Sequence, residues 1–336
     1  MWFSLAILLF IFPTVTAITD LQVNCTGPDR RYNDTSCYVM VKTVKRHTIA
    51  KLLCNHYFGY SGHLYHIRNA AAQAVTKELI STYSNANDKI FTGLEPINES
   101  AALNDQNNWA HYYRDGTFVS ATNLPWAPGQ PSTNNRVYYQ PSSDKIFTQA
   151  EPTTSFYICE YEEALKQPVT DLEQKCFNLM IGSDFTWFVN DVCYVLQAAV
   201  SKTYNNAKVS CNAFSGYYGH LTHIRTMEEV WMADALRTAT GVTYARLGIE
   251  QTNLSSTNAS IGWYLTTPTN QSMPATFLPW ASSNPTANKR TVAVSSGYRK
   301  IFVTVDNATA YPFLCQYGRS TLSASTGTPG KSTFFL

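Results

Sequence analysis

The stretch Cys54–Arg68, CNHYFGYSGHLYHIR, occurs a second time as CNAFSGYYGHLTHIR at Cys211–Arg225, 157 residues further along the chain. Shorter matches follow in the same order. The chain of 336 residues therefore contains two copies of one unit, the first and the second repeat. Each copy is too long for a solenoid unit, which spans about 20–50 residues. The later matches lie at offsets of 154 or 155 and pair Gly93-Leu94-Glu95 with Gly248-Ile249-Glu250, Trp109 with Trp263, Leu124-Pro125-Trp126-Ala127 with Leu278-Pro279-Trp280-Ala281, and Lys145-Ile146-Phe147 with Lys300-Ile301-Phe302.

The eight cysteines divide into four for each repeat. If the four cysteines of a repeat bond only to one another, three disulfide pairings are possible in each repeat. We predict that the first two cysteines of a repeat bond to each other and that the last two tie its ends together. An even cysteine number is typical of an oxidising compartment. The predicted bonds are Cys25–Cys37, Cys54–Cys159, Cys176–Cys193 and Cys211–Cys315.

The N-terminus predicts export from the cell. An apolar run from Trp2 to Phe12 precedes the small-residue pattern Val15-Thr16-Ala17, so residues 1–17 are expected to be a signal peptide cleaved after Ala17. The alternative is a short membrane anchor, although the run is below the roughly 20 residues that span a bilayer. After cleavage we expect a secreted, extracellular protein without a membrane span. Its Ser/Thr-rich tail at 319–336 is expected to be disordered.

Glycosylation sequons support the same compartment. Asn-x-Ser/Thr marks surface loops of secreted proteins, although some sequons arise by chance in a chain rich in Asn, Ser and Thr. The candidate acceptors are Asn24, Asn33, Asn98, Asn253, Asn258, Asn270 and Asn307.

The composition excludes two classes of protein. Net charge is +2 and only 14% of residues are charged, which disfavours a nucleic-acid-binding surface because such a surface needs many phosphate contacts. Hydrophobic residues make up 44%, which is too many for a disordered chain.

Each repeat is predicted to begin with helices and to end with short strands, which indicates the α+β class. Ala50, Cys54 and Tyr57 lie at i, i+4 and i+7, and Ala207, Cys211 and Phe214 repeat this spacing, so each third cysteine is placed on the buried face of a helix. A second helix is predicted after the capping-box pattern that starts at Thr226. Strand candidates are Lys145–Thr148, Phe156–Glu160, Lys300–Val305 and Pro312–Gln316.

This order of motifs resembles the C-type lectin-like domain. The resemblance implies two tandem α+β domains at 25–162 and 176–318 with a linker at 163–175, each with two helices, short antiparallel strands and a long loop region. Any single motif is weak, but their order holds in both repeats. In the first repeat the motifs are Cys54, Gly62-His63-Leu64, Gly93-Leu94, Trp109, Trp126 to Pro131 and Phe156 to Glu160; in the second they are Cys211, Gly219-His220-Leu221, Gly248-Ile249, Trp263, Trp280 to Pro285 and Pro312 to Cys315.

Two features depart from the family pattern. A second core disulfide, usual in the family, has no cysteines here, so the long loop is expected to be looser. Relatives that bind sugar through Ca²⁺ use Glu/Gln-Pro-Asn/Asp and a later Trp-Asn-Asp, because Ca²⁺ needs six to eight oxygen ligands including carboxylates. Where the later motif would stand, the two repeats have Ile146-Phe147-Thr148-Gln149 and Ile301-Phe302-Val303-Thr304, and no acid occupies either loop.

We therefore expect no metal ligands and no cofactor. A rearranged calcium site that uses Asp144, Glu151 or Asp306 is the alternative. The candidate ligand loop consists of Gln130, Pro131, Ser132, Asn134 and Asn135 in the first repeat, and of Asn284, Pro285, Thr286 and Asn288 in the second.

Other candidate residues have structural interpretations. The pairs His63/His66 and His220/His223 would point to opposite faces of a strand, so they are not expected to chelate a metal together. Glu95 and Glu250 occupy equivalent places in two separate units and are expected to anchor loops, and no enzyme motif is present, so we expect no enzyme. The four paired tryptophans, Trp109, Trp126, Trp263 and Trp280, are expected in the core, and the pairs Tyr112-Tyr113, Tyr138-Tyr139 and Tyr217-Tyr218 on a contact surface.

The resemblance implies a secreted recognition protein that binds glycans or extracellular protein surfaces without strong calcium dependence, including in innate immune recognition. The alternative is an extracellular adhesive or structural protein that binds protein partners and no sugar.

Overall fold

The computed structural model describes residues 18–83, 85, 87–98, 101–114, 116–167, 169–180, 185–253, 258, 260–267, 272–296 and 300–318. The expected signal peptide at 1–17, the expected tail at 319–336 and the sequon residue Asn270 lie outside these residues. No helix within the described ranges is both long enough and apolar enough to cross a membrane.

The first repeat mixes helices and strands, as the α+β prediction requires, but it has three helices where two were expected, and its last strand has 13 residues. A 3-10 turn at Gln106–Asn108 precedes its sixth strand. In chain order the elements are α1 (Asp20–Asn24), β1 (Arg30–Asn33), β2 (Ser36–Arg46), α2 (His47–Leu53), β3 (Tyr60–Leu64), α3 (Ala70–Tyr83), β4 (Ile90–Phe91), β5 (Leu94–Pro96), β6 (Trp109–Tyr112), β7 (Phe118–Ser120), β8 (Arg136–Gln140), β9 (Lys145–Gln149) and β10 (Thr154–Lys166).

The second repeat has nearly the same order of elements. They are α4 (Asp171–Met180), β11 (Phe185–Val189), β12 (Val192–Lys202), α5 (Tyr204–Ser210), β13 (Ala213–Phe214), β14 (Tyr217–Leu221), α6 (Met227–Thr240), β15 (Ala245–Gln251), β16 (Trp263–Thr266), β17 (Ser272–Pro274), β18 (Thr291–Val294), β19 (Phe302–Val305) and β20 (Tyr311–Gly318).

The last strand of each repeat holds its sheet together. β10 pairs antiparallel with β2 and β3 and parallel with β4. β20 makes the corresponding pairs with β12, β14 and β15. Each last strand is therefore flanked by strands formed much earlier in the chain, and the buried side chains of the repeat collect around it.

Four disulfides are present, and they join the pairs that the sequence analysis predicted. The two long ones fix the last strand to the end of a helix, with Cα–Cα distances of 5.2 Å and 5.3 Å. The sulfur atoms belong to buried residues. The bonds are Cys25–Cys37, Cys54–Cys159, Cys176–Cys193 and Cys211–Cys315.

The glycine of each Gly-His-Leu motif allows a close approach to the last strand. A side-chain carbon on Gly62 would lie 2.4 Å from the Tyr161 ring, and one on Gly219 would lie 2.2 Å from the Tyr317 ring. Real carbon contacts are never so short, so a larger residue would push the strands apart.

The helix predicted around the third cysteine is shorter than its apolar spacing indicated. α2 ends at Leu53 and α5 at Ser210, so each cysteine follows its helix as the cap residue. Tyr57 instead bridges to Tyr60, because the chain turns sharply at Phe58, where φ is +49°. The cysteines are buried as predicted, but the residues three further on are not helical.

The second-helix prediction is confirmed in α6. Thr226 Oγ1 accepts a hydrogen bond of 3.2 Å from the amide of Glu229, and a Glu229 carboxylate oxygen accepts one of 3.1 Å from the amide of Thr226. This reciprocal pair is a capping box, which satisfies two N–H groups that the helix cannot bond internally. Gly241, with φ of +73°, ends the helix.

Most of the expected linker at 163–175 is regular structure instead. β10 continues to Lys166, because the Glu163 amide donates to the Thr35 carbonyl at 2.9 Å. α4 already begins at Asp171. The first repeat also begins before Cys25, since Leu21 of α1 is fully buried.

The two repeats touch at α4, where Glu173 lies 2.6 Å from His56 of the first repeat, and through a pair of helices. α2 of the first repeat packs against α6 of the second. Leu52 of α2 also reaches the apolar core of the second repeat. Polar contacts accompany this packing. Lys51 Nζ lies 3.2 Å from Glu228 Oε1, and Arg46 guanidinium nitrogens lie 3.1 Å from Asp234 Oδ2 and 3.1 Å from the Thr238 hydroxyl. The Arg136 guanidinium lies 4.0 Å from the centre of the Trp231 ring.

The long disulfides should matter more for folding than the short ones. In the loop-entropy model a bond across about 100 residues stabilises by about 4.7 kcal/mol, and one across about 15 residues by about 3 kcal/mol. We expect Cys159→Ser and Cys315→Ser each to cause retention in the secretory pathway of expressing cells. Cys25→Ser is the matched control and should retain less protein. Secretion of both long-bond variants at the normal level, measured by immunoblot of the medium, would contradict this prediction.

Candidate functional site

The predicted ligand loops lie in corresponding places in the two repeats. In the first repeat the loop follows Trp126 and leads into β8, and in the second it follows Trp280 and leads into β18. The peptide bonds Gln130–Pro131 and Asn284–Pro285 are both cis. We call residues 130–132 and 284–286 the proline loops.

The first proline loop is closed by a threonine of β9. Gln130 Oε1 accepts hydrogen bonds from both the amide and the hydroxyl of Thr148, at 3.0 Å and 2.7 Å. The Ser132 amide donates to the same hydroxyl oxygen at 3.1 Å, and the Ser132 hydroxyl bonds to it as well. The amide side chain therefore points toward the sheet.

The second proline loop has the same arrangement with different residues. Asn284 Oδ1 accepts from the amide and the hydroxyl of Thr304, at 2.9 Å and 3.1 Å. The Thr286 amide donates to the Thr304 hydroxyl oxygen at 3.0 Å. A shorter amide and a different hydroxyl residue thus produce the same closure, which makes the strand threonine its common element.

This closure occupies the oxygen atoms that a cation would need. An amide oxygen has two lone pairs, and in both loops it already accepts two hydrogen bonds. Ca²⁺ is held by six to eight oxygens, usually with carboxylates among them. Neither proline loop carries a carboxylate.

The acids of the alternative calcium site are engaged elsewhere. Asp144 lies 2.7 Å from Lys77 Nζ, and Glu151 accepts from Thr48 and is paired with Arg136. Asp306 Oδ1 accepts from the amide of Ala308 at 2.7 Å. Across the described part of the chain, the one cluster of three groups close enough to share a metal lies among the histidines discussed below.

The remaining candidate loop residues differ in exposure. Asn134 is half-buried and lies 3.3 Å from the Ser132 hydroxyl, and Asn135 is buried. Asn288 is exposed, with φ of +66°. Only the second repeat therefore presents one of the predicted loop amides fully to solvent.

The paired tryptophans belong to the core, as the sequence analysis expected. Trp109 and Trp126 meet with ring centres 5.5 Å apart, and Trp263 and Trp280 with centres 5.0 Å apart. The first of each pair is buried and the second half-buried. The second tryptophan of each pair stands four residues before its proline loop.

One tyrosine pair was assigned wrongly to the contact surface. Tyr138 and Tyr139 are both buried, because the two faces of β8 pack against two different apolar clusters. Tyr112, Tyr113 and Tyr217 are half-buried. Tyr218 is 74% exposed and remains a candidate for contact.

Sequence reasoning missed an apolar surface on β7. Phe118 and Val119 are 43% and 41% exposed, and β7 forms the edge of a three-stranded sheet. The corresponding strand β17 exposes Met273 by 38%. The signal in the sequence was an apolar pair between Gly116 and Ser120 within an otherwise polar stretch.

The histidine prediction was wrong in its geometry. The His63 and His66 rings stack with centres 4.0 Å apart, and so do those of His220 and His223. Strand β3 ends at Leu64, so the alternation of a strand does not extend to His66. Gly93 leaves room for the stack, since a side-chain carbon there would lie 2.7 Å from the His66 ring.

His63, His66 and Glu160 bring their ligand atoms within 4.8 Å of one another, which is close enough to share a metal. The positively charged side chain of Arg68 already contacts this cluster. An Arg68 guanidinium nitrogen lies 3.2 Å from His66 Nδ1 and 3.3 Å from Glu160 Oε1. The second repeat forms the same stack with Gln316 in place of Glu160, so the stack does not depend on a metal-binding carboxylate.

The buried imidazoles are held neutral. Burial lowers the pKa of His66 well below its usual range and that of His223 to about 2. Burial, together with Arg68, lowers the pKa of His111 to about 4. Neutral rings can stack closely without repulsion.

The two candidate acids pair with lysines of helices α2 and α5, whereas they were expected to anchor loops. Glu95 lies 2.8 Å from Lys51 Nζ and 3.0 Å from an Arg136 guanidinium nitrogen. Burial alone would raise the pKa of Glu95, but Lys51 and Arg136 lower it to about 2. Glu250 lies 3.3 Å from Lys208 Nζ.

Four of the sequon asparagines are exposed in the described residues. Asn98, Asn253, Asn258 and Asn307 are exposed, and the other two are half-buried. The half-buried Asn24 donates from its side chain to the Asp20 carbonyl at 2.7 Å.

Removing the closing hydroxyl should loosen a proline loop. We expect Thr148→Val to lower the free energy of unfolding by about 1–3 kcal/mol, because it leaves polar loop atoms without a partner. Thr304→Val should act in the same way. Thr133→Val, at an exposed threonine directly after the first proline loop, is the control and should change the free energy of unfolding by less than about 0.5 kcal/mol. Equal effects of Thr148→Val and Thr133→Val in urea unfolding would contradict the role of the hydroxyl.

The neutral histidines predict a loss of stability in weak acid. Above pH 6.5 these imidazoles are neutral in both states, and below it the unfolded chain binds protons that the folded chain does not. The free energy of unfolding should fall by up to about 1.4 kcal/mol per pH unit for each histidine. Urea unfolding at pH 7.5, 6.5 and 5.5 measures the slope before the carboxylates titrate. His111→Phe should reduce that slope by up to about 1.4 kcal/mol per pH unit, the contribution of one proton. An unchanged slope would contradict a neutral His111 in the folded protein.

Solved structures of C-type lectins and of lithostathine are similar to this chain. The C-type lectin CEL-I from Cucumaria echinata is 17% identical, covers 41% of this chain and 98% of its own, and has a TM-score of 0.34. Human lithostathine is 18% identical over 41% of this chain and all of its own, with a TM-score of 0.33. The C-type lectin domain of murine dendritic cell inhibitory receptor 2, described in complex with N-glycan, is 13% identical over 40% of this chain and 96% of its own, with a TM-score of 0.32.

No protein-family model and no curated protein matches the sequence. At these identities the likeness to solved structures concerns the fold alone. Over a length of about one repeat, this chain is similar in fold to the C-type lectin-like domain.

Proposed function

We propose that this protein is an extracellular recognition protein with two tandem C-type lectin-like domains, one in each repeat. It binds glycan or protein surfaces through its loop regions without depending on calcium. Microbial glycans, and with them innate immune recognition, fall within this proposal. Secretion by way of a signal peptide, occupied sequons and a disordered tail are part of it.

The closure of both proline loops carries the proposal. The side-chain amide oxygens of Gln130 and Asn284 each accept two hydrogen bonds from a strand threonine. The loop shape is thus held by uncharged groups of the chain itself. A ligand would meet a loop that is already formed, and calcium would have no role in ordering it.

Catalysis is not part of the proposal. Glu95 and Glu250 lie in separate repeats, and each is paired with a lysine. Paired acids of a glycosidase must flank one bond, with carboxyl groups about 5–10 Å apart. These two acids are better suited to holding helices α2 and α5 against their own repeats.

An adhesive protein that binds proteins and no sugar is the second candidate function. The exposed pair Phe118 and Val119 on the edge strand β7 favours it. An edge strand offers unpaired backbone groups, and apolar side chains beside them suit a protein partner. Sugar binding requires neither feature.

A glycan array tests the leading proposal. The mature chain is screened in millimolar calcium and again in EDTA, and we expect glycan binding of equal strength in both. Thermal unfolding should likewise have the same midpoint in calcium and in EDTA.

Binding that EDTA abolishes would contradict the calcium-independent proposal and would point to acids such as Asp144 or Asp306. Binding to no glycan would favour the adhesive alternative. In that case, cross-linking on cells followed by mass spectrometry should capture protein partners, and Val119→Asp should abolish their capture. Val23→Asp is a matched control, because Val23 is an exposed valine of α1.

A further inference from the structure

Helix α5 of the second repeat is the counterpart of α2 of the first. Both helices have seven residues, follow a long strand and end at the cysteine of a long disulfide. In the first repeat the outer face of α2 is covered by α6. The corresponding face of α5 is open, because Val209 on it is 71% exposed.

The contacts of α2 show what kind of surface this position accepts. Lys51 Nζ lies between two carboxylates, 2.8 Å from Glu95 of its own repeat and 3.2 Å from Glu228 at the start of α6. Leu52, the next residue, packs against the apolar core of the second repeat. A helix with an acid in its first turn therefore fits this position.

The α5 face retains a lysine and an apolar residue at the positions of Lys51 and Leu52. Lys208 stands where Lys51 does and makes the same internal pair, 3.3 Å from Glu250. Val209 stands where Leu52 does. Around it, a shallow groove is lined by Ser201, Lys202, Thr203, Asn206, Ser210 and Ala310. Two lysines and an exposed valine thus remain at a position that is covered in the first repeat.

A second copy of this chain does not fit the groove through its first repeat. The counterparts of Glu228, Trp231 and Asp234 on helix α3 are Ala71, Ala74 and Lys77. The acids and the indole are therefore absent, and one acid is replaced by a lysine. Two α5 faces would also repel each other electrostatically, because each carries Lys202 and Lys208.

We propose that the α5 face binds a helix of a different protein, with the chemistry that α6 presents to α2. The partner helix carries a carboxylate in its first turn, which reaches Lys208, and an apolar side chain about one turn later, which covers Val209. This inference is independent of the proposed function, because the α5 face includes no residue of either proline loop.

The probe is a synthetic peptide with the sequence Thr226–Gly241, labelled with a fluorophore. Isolated helices of this length are marginal in water, so Met232→Lys and Leu236→Glu introduce a side-chain lactam. These two positions are buried in the intact protein, so the change leaves the acidic outer face intact.

Fluorescence anisotropy with the full-length protein should show saturable binding. Val209→Asp should weaken it at least tenfold and Lys208→Gln about fivefold. In the peptide, Glu228→Gln should weaken it to the same extent as Lys208→Gln, and the two changes together should cost no more than either alone. Val23→Asp is the matched control in the protein and should leave binding unchanged.

A predicted glycan acceptor lies beside this helix, since the Tyr204 amide donates to the Asn307 carbonyl at 2.9 Å. The titration is therefore made with Asn307→Gln protein as the common background. Saturable binding that Val209→Asp does not weaken, or no saturable binding, would overturn the proposal. A dimer in sedimentation equilibrium that Val209→Asp dissociates would also overturn it, because a second copy would then cover the face. None of these outcomes depends on whether a glycan is bound.

Discussion

In each repeat a disulfide joins the residue after a seven-residue helix, α2 or α5, to the last strand, and most of the elements between them lie within that closed loop. Cys54 bonds to Cys159 on the strand that pairs with β2, β3 and β4. The helix α3, the proline loop and the strand that closes it all lie between these two cysteines. The small glycine of the Gly-His-Leu motif lets a tyrosine of the last strand lie against β3, so the covalent bond and the close packing act at the same place. The loop region can then differ in sequence between the repeats without altering the disulfide-linked sheet that holds it.

The duplication also shows which parts of the loop are interchangeable. Gln130 and Asn284 differ by one methylene group, yet each ends on a strand threonine that supplies both its amide and its hydroxyl. The two repeats differ more in their outer surfaces. Helix α6 carries acids and an indole where α3 carries alanines and a lysine. The two repeats thus share the residues that form their frame and differ in the residues on their outer faces. Helix α6 can therefore cover α2, but α3 lacks the acids and the indole to cover α5 in the same way.

Much of this architecture could be predicted from the sequence, because a repeat makes each motif appear twice. The capping box at Thr226, the cysteine pairs and the core tryptophans are local or duplicated patterns. The errors arose where the chain changes direction within a motif. His66 stacks on His63 because β3 ends between them, and Tyr57 leaves the helix at a turn, which residue spacing cannot show. Tyr138 and Tyr139 are both buried because β8 is covered on two faces, and only the complete fold reveals the second cover. The proline loops were expected at matching positions of the two repeats, but the hydroxyl that closes each one comes from a strand some 18 or 20 residues later.

The long disulfides have a mechanical consequence for a protein pulled between its two ends. Tension entering at Cys54 crosses directly to Cys159, and tension entering at Cys211 crosses to Cys315, so the 105- and 104-residue separations that they span carry none of the load. At about 3.4 Å per extended residue, each bond keeps roughly 350 Å of chain from being drawn out. The proline loops and the β7 edge lie inside these protected segments. Under shear between two surfaces, β2 and β12, which run from the short to the long disulfide of their repeats, would take the load before the proline loops lost their shape.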